Sequence, residues 1–307
     1  MPDIVLETIG LTKNYRARRA VDNLNLQVRE GDVYGFLGPN GAGKSTTIRM
    51  LTGLVRPNSG TARLLGHDVC TEHVQAARNI GALVEMPAFY KYMSARENLK
   101  IFSRLSGGCD ARRIDEVLDM VGLLDRANDK VKTFSHGMVQ RLGIGQALLP
   151  KPKLVILDEP TSGLDPQGMK DVRELILRLA REEKTTVFLS SHLLHEIEQV
   201  CTRVGIINRG KLITEGDVKQ FLHHDVELVE FQVSDKVKAA KVLEPLDWAQ
   251  MMDSEQDSIA VRVPAEQVSE VNRALVEASV EVSAIVPKNM TLEDLFLKLV
   301  EGGDHAD

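Results

Sequence analysis

The sequence predicts an α/β protein whose main part is a mostly parallel sheet covered by helices and whose last part is a small α+β domain. Short apolar runs that favour strands each lead into a segment of helical period, at Val33 to Leu37, Leu154 to Leu157 and Thr186 to Ser190. Strands that are apolar on both faces usually lie inside a parallel sheet. After residue 222 glycines become scarce and a new cycle of elements begins. We therefore expect two domains, residues 1–222 and 223–307.

Composition restricts the function before any motif is considered. The 307 residues include 38 basic and 44 acidic side chains, a net charge of -6, so we expect no nucleic acid partner. The three cysteines, Cys70, Cys109 and Cys201, lack CxxC and zinc-ligand spacing, which predicts a reducing cytosol and no disulfide framework. No uncharged run approaches the roughly 18 residues that span a bilayer. We expect a chain that is not secreted and that reaches a membrane only by docking onto a membrane protein.

Two further patterns support the predicted main domain. The segment after Pro166 carries apolar residues at positions 172, 175, 176 and 179 and charged residues elsewhere, which predicts a helix with one packed face and one wet face. Two strand-like runs, Val204 to Ile207 and Lys211 to Thr214, flank a short polar segment that ends in Gly210. This pattern predicts a β-hairpin in which the glycine takes a positive φ.

The predicted C-terminal domain contains three strands that alternate with three helices. The last helix has Thr291 as a candidate N-cap and an apolar stripe at positions 292, 295, 296 and 299. The elements are strand Glu227 to Val233, helix Lys236 to Leu243, strand Ser258 to Val263, helix Ala265 to Ala278, strand Val280 to Val286 and helix Leu292 to Val300.

A phosphate-binding motif is the strongest functional signal. It fits the pattern G-x-x-x-x-G-K-[ST], follows the strand that ends at Leu37 and precedes a helical run from Thr46 to Leu51. Glycines let such a loop point successive backbone N–H groups at phosphate oxygens, and the helix dipole favours the same anion. The motif predicts that Lys44 binds the β and γ phosphates of ATP, that Ser45 ligates Mg²⁺ and that Thr46 opens the helix beside them. The loop residues are Gly38, Pro39, Asn40, Gly41, Ala42, Gly43, Lys44 and Ser45.

Two acids and a histidine supply the groups that hydrolysis needs. Asp158 and Glu159 end an apolar strand, and strands of a parallel sheet present ligands at their carboxyl ends. Successive strand side chains diverge, so Asp158 is predicted to hold Mg²⁺ and Glu159 to polarise the attacking water. His192, which follows another strand, is predicted to hydrogen-bond the γ phosphate.

Together with the segment from Thr161 to Asp165, these motifs resemble the ATP-binding subunits of ABC transporters from about residue 4 to residue 220. The diagnostic element is Phe134 to Leu142, which is similar to the family's signature motif LSGGQ. The resemblance implies a fold with an antiparallel β part and a helical signature subdomain beside the parallel sheet. It implies that Ser135 and Gly137 bind the nucleotide of an opposite subunit, so that two copies pair around two ATP molecules as a homodimer.

The same resemblance assigns two more residues. Tyr15 matches the aromatic residue that stacks on adenine in the family. The alternative is that Tyr15 is a half-buried tyrosine near a strand end with a structural role only. Asp165 matches the acidic residue that reaches across the dimer to the opposing phosphate loop.

At two places the sequence departs from the common family pattern, and these departures indicate a particular branch of the family. Glu85 stands where most relatives have glutamine, and a carboxylate there can ligate Mg²⁺. With the segment Met86 to Tyr90 it looks like the branch that exports bacitracin and lantibiotic-type peptides. His136 and Met138 stand in the signature where glycine and glutamine are commoner, and methionine is frequent in that branch.

The C-terminal domain is similar to the extension of ATPases that pair with ABC-2 type permeases. It either widens a dimer interface or regulates the ATPase. The resemblance therefore implies an ATPase that drives an ABC-2 type transmembrane permease, as an exporter, from the cytoplasmic side of the cell membrane. The alternative is a soluble ABC ATPase that acts on DNA or ribosomes, but no heptad pattern separates the phosphate loop from the signature.

Overall fold

The computed structural model describes residues 3–16, 18–222, 226–246, 248–252 and 258–287, together with Leu292 and Phe296. The chain divides into two compact units, Met1–Val218 and Lys219–Asp307, with the boundary a few residues before the predicted one. The strands of the first unit are β1 Ile4–Tyr15, β2 Arg18–Arg29, β3 Val33–Leu37, β4 Ser59–Leu64, β5 His67–Asp68, β6 Ile80–Leu83, β7 Leu154–Asp158, β8 Thr186–Ser191, β9 Arg203–Asn208 and β10 Lys211–Asp217. The helices up to the boundary region are α1 Lys44–Leu51, α2 His73–Ala77, α3 Ala95–Leu105, α4 Ala111–Met120, α5 His136–Leu148, α6 Pro166–Arg181, α7 Leu194–Val200 and α8 Val218–Leu222.

A six-stranded sheet forms the centre of the first unit. Its order is β10-β9-β3-β8-β7-β6, and every pairing except that of β9 with β10 is parallel. A separate antiparallel sheet has the order β2-β1-β4-β5. The predicted mixed α/β class, with a mostly parallel core and an antiparallel part, is therefore confirmed. The carboxyl ends of β3, β7 and β8 lie side by side, which places the loops after them at one edge of the sheet.

A helical segment between β6 and β7 carries the predicted signature subdomain. Polar side chains cap its three helices α3, α4 and α5, which begin after Ser94, Asp110 and Ser135 respectively. At the first of these, the Ser94 hydroxyl accepts a bond from the Glu97 amide, and the Glu97 carboxylate accepts one from the Ser94 amide. The backbone hydrogen bond from Ser94 lowers the pKa of the Glu97 carboxyl from its ordinary value. These caps fix where each helix starts, and for α5 that start is the signature.

The sequence located the hairpin and the long helix well. The hairpin joins β9 to β10 through Arg209 and Gly210, and both residues have positive φ, 48° and 83°. The predicted helix after Pro166 is α6, with its apolar positions buried. The helix of the phosphate motif begins at Lys44, two residues before the predicted start. His192 follows a strand as predicted, and it lies in the turn between β8 and α7.

Within the described residues, the second unit is a four-stranded antiparallel sheet with two helices against one face. Its strands are β11 Val226–Val233, β12 Gln250–Met252, β13 Ser258–Pro264 and β14 Val282–Pro287, in the order β12-β13-β11-β14, and its helices are α9 Lys236–Leu243 and α10 Val268–Glu277. The core of this unit includes Phe231, Val261 and Leu275. Strand β12 was not predicted. The predicted helix from Leu292 to Val300 lies, apart from Leu292 and Phe296, outside the described residues.

Two boundaries in the second unit differ from the sequence prediction. Residues Ala265–Gln267 form a 3-10 turn, and α10 starts only at Val268. Val280 was assigned to a strand, but its amide donates to the carbonyl of Leu275, 3.0 Å away, and so closes the end of α10. Ser279 has a φ of 57° in the same turn, so β14 begins only at Val282.

An aromatic cluster holds β3 against β8 in the core of the first unit. The ring of Phe188 contacts those of Tyr34 and Phe36, each at a centroid distance of 5.5 Å, and all three side chains are fully buried. Substitution Phe188→Ala would leave a cavity between the strands that carry the phosphate loop and His192. We expect a loss of about 3 to 5 kcal/mol in the free energy of unfolding, measured by urea denaturation.

The matched control for this substitution is Leu105→Ala, because that side chain is 78% exposed at the end of α3. We expect it to change the free energy of unfolding by less than about 0.5 kcal/mol. Equal losses for the two variants would contradict the assigned core.

Candidate nucleotide site

The phosphate loop, residues 38–45, connects the carboxyl end of β3 to the start of α1. Its glycines are sterically required: a Cβ placed on Gly38 would lie 2.3 Å from the carbonyl oxygen of Ile207, and one on Gly43 would lie 2.5 Å from that of Ala20. Gly43 also has a φ of 115°, a backbone conformation that residues other than glycine rarely adopt. The loop ends at the N-terminus of α1, and a glycine-rich loop at a helix N-terminus binds phosphate through its backbone N–H groups.

Lys44 lies within this loop rather than extending into solvent. Its Nζ donates to the carbonyl oxygens of Gly38 at 2.7 Å and Pro39 at 3.3 Å, and the side chain is only 5% exposed. The same ammonium lies 3.4 Å from Oε1 of Glu159. A buried cation is thereby held at the mouth of the loop, beside the carboxylate predicted to act as base.

The predicted magnesium ligands Ser45 and Asp158 face each other. Oγ of Ser45, in the first turn of α1, donates to Oδ1 of Asp158 at the end of β7, 3.3 Å away. Asp158 is 8% exposed, and a buried carboxylate needs such partners. A hydroxyl beside a carboxylate is a hard oxygen pair of the kind that Mg²⁺ binds together with phosphate oxygens, so the residues fit this ion.

Glu159 and His192 form the reactive side of the site. Oε2 of Glu159 lies 2.9 Å from Nδ1 of His192. Glu159 has a φ of 46°, a left-handed conformation that costs a non-glycine residue free energy and turns its side chain away from Asp158. The two adjacent acids therefore take different positions, as the sequence argument required, and Lys44, Glu159 and His192 come together.

The antiparallel sheet brings Tyr15 toward the phosphate loop. Tyr15 pairs with Arg18 across the β1–β2 turn, and Nη2 of Arg18 donates to the carbonyl oxygen of Gly41, 2.9 Å away. The Tyr15 ring is 44% exposed, and Nζ of Lys13 lies 5.3 Å from its centroid. Arg18 therefore connects the end of this hairpin to the loop, and the exposed ring of Tyr15 at the same end is suited to stack on a nucleobase.

The signature residues lie elsewhere on the first unit. Ser135 caps α5, with its Oγ 3.3 Å from the amide of Met138, and Asp165 caps α6, with Oδ1 3.0 Å from the amide of Gly168. Ser135 and Asp165 are exposed and Gly137 is partly so. Within the described residues, no hydrogen bond or ion pair joins any of them to Lys44, Asp158 or Glu159. The structure therefore does not bring the signature and the phosphate loop into one site of a single chain.

Glu85, the remaining predicted metal ligand, has another partner. Its carboxylate forms an ion pair with Arg49 in the last turn of α1, and its side chain is 62% exposed. Glu85 has a φ of 65° two residues after the end of β6. Ser45 and Asp158 are in contact with each other and not with Glu85, so in this structure Glu85 stands apart from the oxygen pair.

Sequence reasoning missed Ser190, which connects the two acids. Its Oγ donates to Oδ1 of Asp158 at 2.7 Å and accepts from the amide of Glu159 at 2.9 Å, and the residue is fully buried. The signal was present, because a polar residue in an otherwise apolar central strand needs a partner. Its partner became evident only from the register, which pairs Asp158 with Ser190.

Substitution Ser190→Ala is expected to lower ATP turnover by about tenfold or more, because a buried hydrogen bond to a charged group is worth about 1.5 to 3 kcal/mol. Steady-state phosphate release measures the effect. Ser191→Ala is the control, because the hydrogen bonds of that hydroxyl within the described residues are to the backbone of Leu193. Equal turnover in Ser190→Ala and the unmodified protein would contradict the assigned role.

The fold and the site define a P-loop nucleoside triphosphatase that carries an additional signature helix. The comparisons with known proteins agree. A family model for ABC transporters matches residues 21–162. The bacitracin transport ATP-binding protein BcrA of Bacillus licheniformis is 45% identical over 97% of this chain and 98% of its own length. The daunorubicin/doxorubicin resistance ATP-binding protein DrrA of Streptomyces peucetius is 37% identical over 100% of this chain and 94% of its own length.

A solved ATP-binding subunit of an ABC transporter shows the same fold, with a TM-score of 0.62 at 30% identity, and covers 70% of this chain and 91% of its own. A dimeric bacterial ABC transporter cassette matches in fold, with a TM-score of 0.63 at 24% identity over 69% of this chain and 98% of its own. The chain belongs to the ATP-binding proteins of ABC transporters. It is an ATPase subunit, and in the part that the structure describes no helix has the length and apolar character of a membrane span.

Proposed function

We propose that two copies of this chain close around two molecules of ATP and so power a separately encoded ABC-2 type permease. The observation that carries the proposal is the separation described above. Lys44, Glu159 and His192 form one cluster, whereas Ser135 and Asp165 lie exposed at the starts of two helices. A second copy related by a twofold axis supplies each half with its complement. A dimeric cassette of the same fold supports this arrangement.

Each residue of the cluster has a proposed task in hydrolysis. Lys44 exchanges the carbonyl oxygens of its own loop for the β and γ phosphates. Glu159 accepts the proton of the attacking water, and His192 donates from Nε2 to a phosphate oxygen. Because a neutral imidazole donates from only one ring nitrogen, Nδ1 then accepts a hydrogen bond from the Glu159 carboxyl, 2.9 Å away, after Glu159 has taken up the proton. Tyr15 stacks on adenine. The partner's Ser135 hydroxyl and Gly137 amide stabilise the charge that develops on the γ phosphate, with Asp165 approaching the opposite loop.

We assign Mg²⁺ to Ser45 and Asp158, whose oxygens already face each other. The ion supplies charge neutralisation of the β and γ phosphates. Glu85 follows β6, the strand next to β7, and is proposed as a further ligand once it exchanges its partner Arg49. The protein side of the site therefore consists of oxygen ligands from α1, β7 and the segment after β6.

The segment after Glu85 is proposed to receive the permease. Three large apolar or aromatic side chains in residues 86–93, the docking segment, are strongly exposed: Met86 at 68%, Tyr90 at 58% and Tyr92 at 78%. Exposed clusters of this kind mark interaction surfaces. Because Glu85 directly precedes the docking segment, a change at the nucleotide site is transmitted over a short stretch of backbone to the permease.

The transported compound is proposed to be a drug, an antibiotic peptide or a similar molecule. Two relatives with nearly full coverage are named for bacitracin transport and for daunorubicin/doxorubicin resistance, and both names support export rather than a task on DNA or ribosomes. The protein then lies at the inner face of the cell membrane, bound to the permease. Residues 1–222 are the ABC cassette, and residues 223–307 are an accessory domain.

Binding to membranes tests the permease proposal. Purified chain is mixed with membranes of the source cell that have been stripped of peripheral proteins, and the pelleted fraction is measured. We expect binding that is lost when the membranes are treated with protease beforehand and that Tyr92→Ala reduces about tenfold, since an aromatic anchor at an interface is worth at least 1 to 2 kcal/mol.

Leu105→Ala serves as the control here too, because Leu105 is exposed to the same extent as Tyr92, 78%, outside the docking segment. Liposomes made from the extracted lipids should bind neither the unmodified chain nor the variants. Equal binding to intact and protease-treated membranes would contradict docking onto a membrane protein.

A further inference from the structure

The imidazole of His136 lies over the turn that precedes α6. His136 is the first residue of α5, directly after the cap Ser135. A Cβ placed on Gly163 would lie 3.4 Å from Nε2 and 3.8 Å from Cδ2 of His136. The ring therefore packs on the backbone of the turn from Thr161 to Asp165, which we call the acidic turn. Gly163 has a φ of 73° at this point, so the turn presents bare backbone to the ring.

The first turns of α5 and α6 are also in contact, through Gly137. A Cβ placed on Gly137 would lie 3.7 Å from Cα of Gly168 and 3.9 Å from Cδ2 of Leu164. The first turns of α5 and α6 thus approach each other closely, with little side-chain volume between them. Ser135 caps one helix and Asp165 caps the other. Both capping residues belong to the set that the proposed function assigns to the partner's nucleotide.

We infer that His136 is a positioning residue that fixes the acidic turn against the signature helix, so that Ser135 and Asp165 reach the partner's nucleotide as one unit. This inference rests on the proposed function, because it concerns the half of the site that acts on a second copy. A glycine at position 136 would leave the backbone of Gly163 without this contact, and the turn would have more conformations to lose when the dimer closes. The imidazole removes that cost before ATP binds.

Substitutions at His136 test the inference through a split between binding and turnover. His136→Ala is expected to lower kcat about tenfold, since small misplacements of reacting groups have effects of that size or more. The Kd of the monomer for ATP should stay unchanged, because Lys44 and Tyr15 lie elsewhere. His136→Gln should restore turnover to within about twofold, because its terminal amide reaches the position of Nε2, whereas the shorter His136→Asn should not.

A second readout does not depend on turnover. In the Glu159→Gln background, ATP-dependent dimer formation is measured by size-exclusion chromatography, and His136→Ala should raise the ATP concentration at half-maximal dimerisation several-fold. His195→Ala is the matched control, because that exposed histidine on α7 contacts Gln199 and not the acidic turn. Gly163→Ala changes the other partner of the same contact. In the double variant, the loss of kcat should be smaller than the sum of the losses in Gly163→Ala and His136→Ala, expressed as free energies.

The outcomes separate this inference from the proposed function. Should Glu159→Gln alone fail to dimerise in ATP, the composite site itself is refuted. Should it dimerise while His136→Ala matches its parent in kcat and in dimerisation, only the role of His136 is refuted. Loss of monomeric ATP binding in His136→Ala, or equal defects in the glutamine and asparagine variants, would also overturn it.

Discussion

The variant Glu159→Gln is expected to bind ATP at least as tightly as the unmodified protein and to lose turnover by about 10² to 10⁴-fold. The amide has the shape of the carboxylate and can still contact Nδ1 of His192, but it cannot take a proton from the attacking water. It also removes the negative charge that lies 3.4 Å from Lys44 and competes with phosphate for that ammonium. With hydrolysis blocked, ATP should hold two chains together.

Phosphate release measures the loss of turnover, and size-exclusion chromatography with ATP measures the trapped dimer. Glu174→Gln is the control, because this glutamate is 65% exposed on α6 and, among the residues that the structure describes, forms an ion pair with Lys170 alone. That variant should hydrolyse ATP normally and should not accumulate as a dimer. Turnover within a few-fold of normal in Glu159→Gln would refute Glu159 as the base.

The variant Ser135→Ala is expected to lose about 10² to 10³-fold in turnover, because one hydrogen-bond donor to the developing charge is removed. Its monomer should bind ATP with unchanged affinity, since Ser135 has no contact with the phosphate loop of its own chain. Fluorescent ATP titration of the monomer and steady-state turnover separate the two effects.

Loss of a helix cap also destabilises the protein, and this contribution needs its own control. Asp110→Ala removes the cap of α4, where Oδ1 accepts from the amide of Arg113 at 2.7 Å. Either change should reduce stability by about 1 kcal/mol. Only Ser135→Ala should reduce turnover. If the Ser135 variant also lost ATP binding as a monomer, its assignment to the partner's site would be wrong.

The parts of the site that the sequence predicted are those whose chemistry is local. The phosphate loop connects consecutive elements, so its glycines, Lys44 and Ser45 could be assigned from one short stretch. Asp158 and Glu159 were predicted to diverge as successive strand residues, but β7 ends at Asp158, and Glu159 takes its position from the left-handed backbone that follows the strand. The parallel order of the sheet then placed His192 beside them.

The parts that were missed depend on contacts between distant segments. The link from Ser190 to both acids requires the register between β7 and β8, which hydrophobic pattern alone does not fix. The ion pair of Glu85 with Arg49 joins the segment after β6 to the last turn of α1, two parts of the chain that are 36 residues apart. Strand β12 is three residues long, exposed and at the edge of its sheet, so it has neither the length nor the alternation that predicts a strand.

Mixing two inactive variants tests the composite site most directly. Lys44→Ala disables the phosphate loop and leaves the signature intact, whereas Ser135→Ala does the reverse. In a mixed dimer, the loop of the second variant meets the signature of the first, and one complete site is restored. When equal amounts of the two variants mix at random, half of the dimers are mixed and each has one complete site. We therefore predict a turnover of about a quarter of that of the unmodified protein, far above the turnover of either variant alone. Turnover equal to the average of the two separate variants would contradict a site shared between two chains.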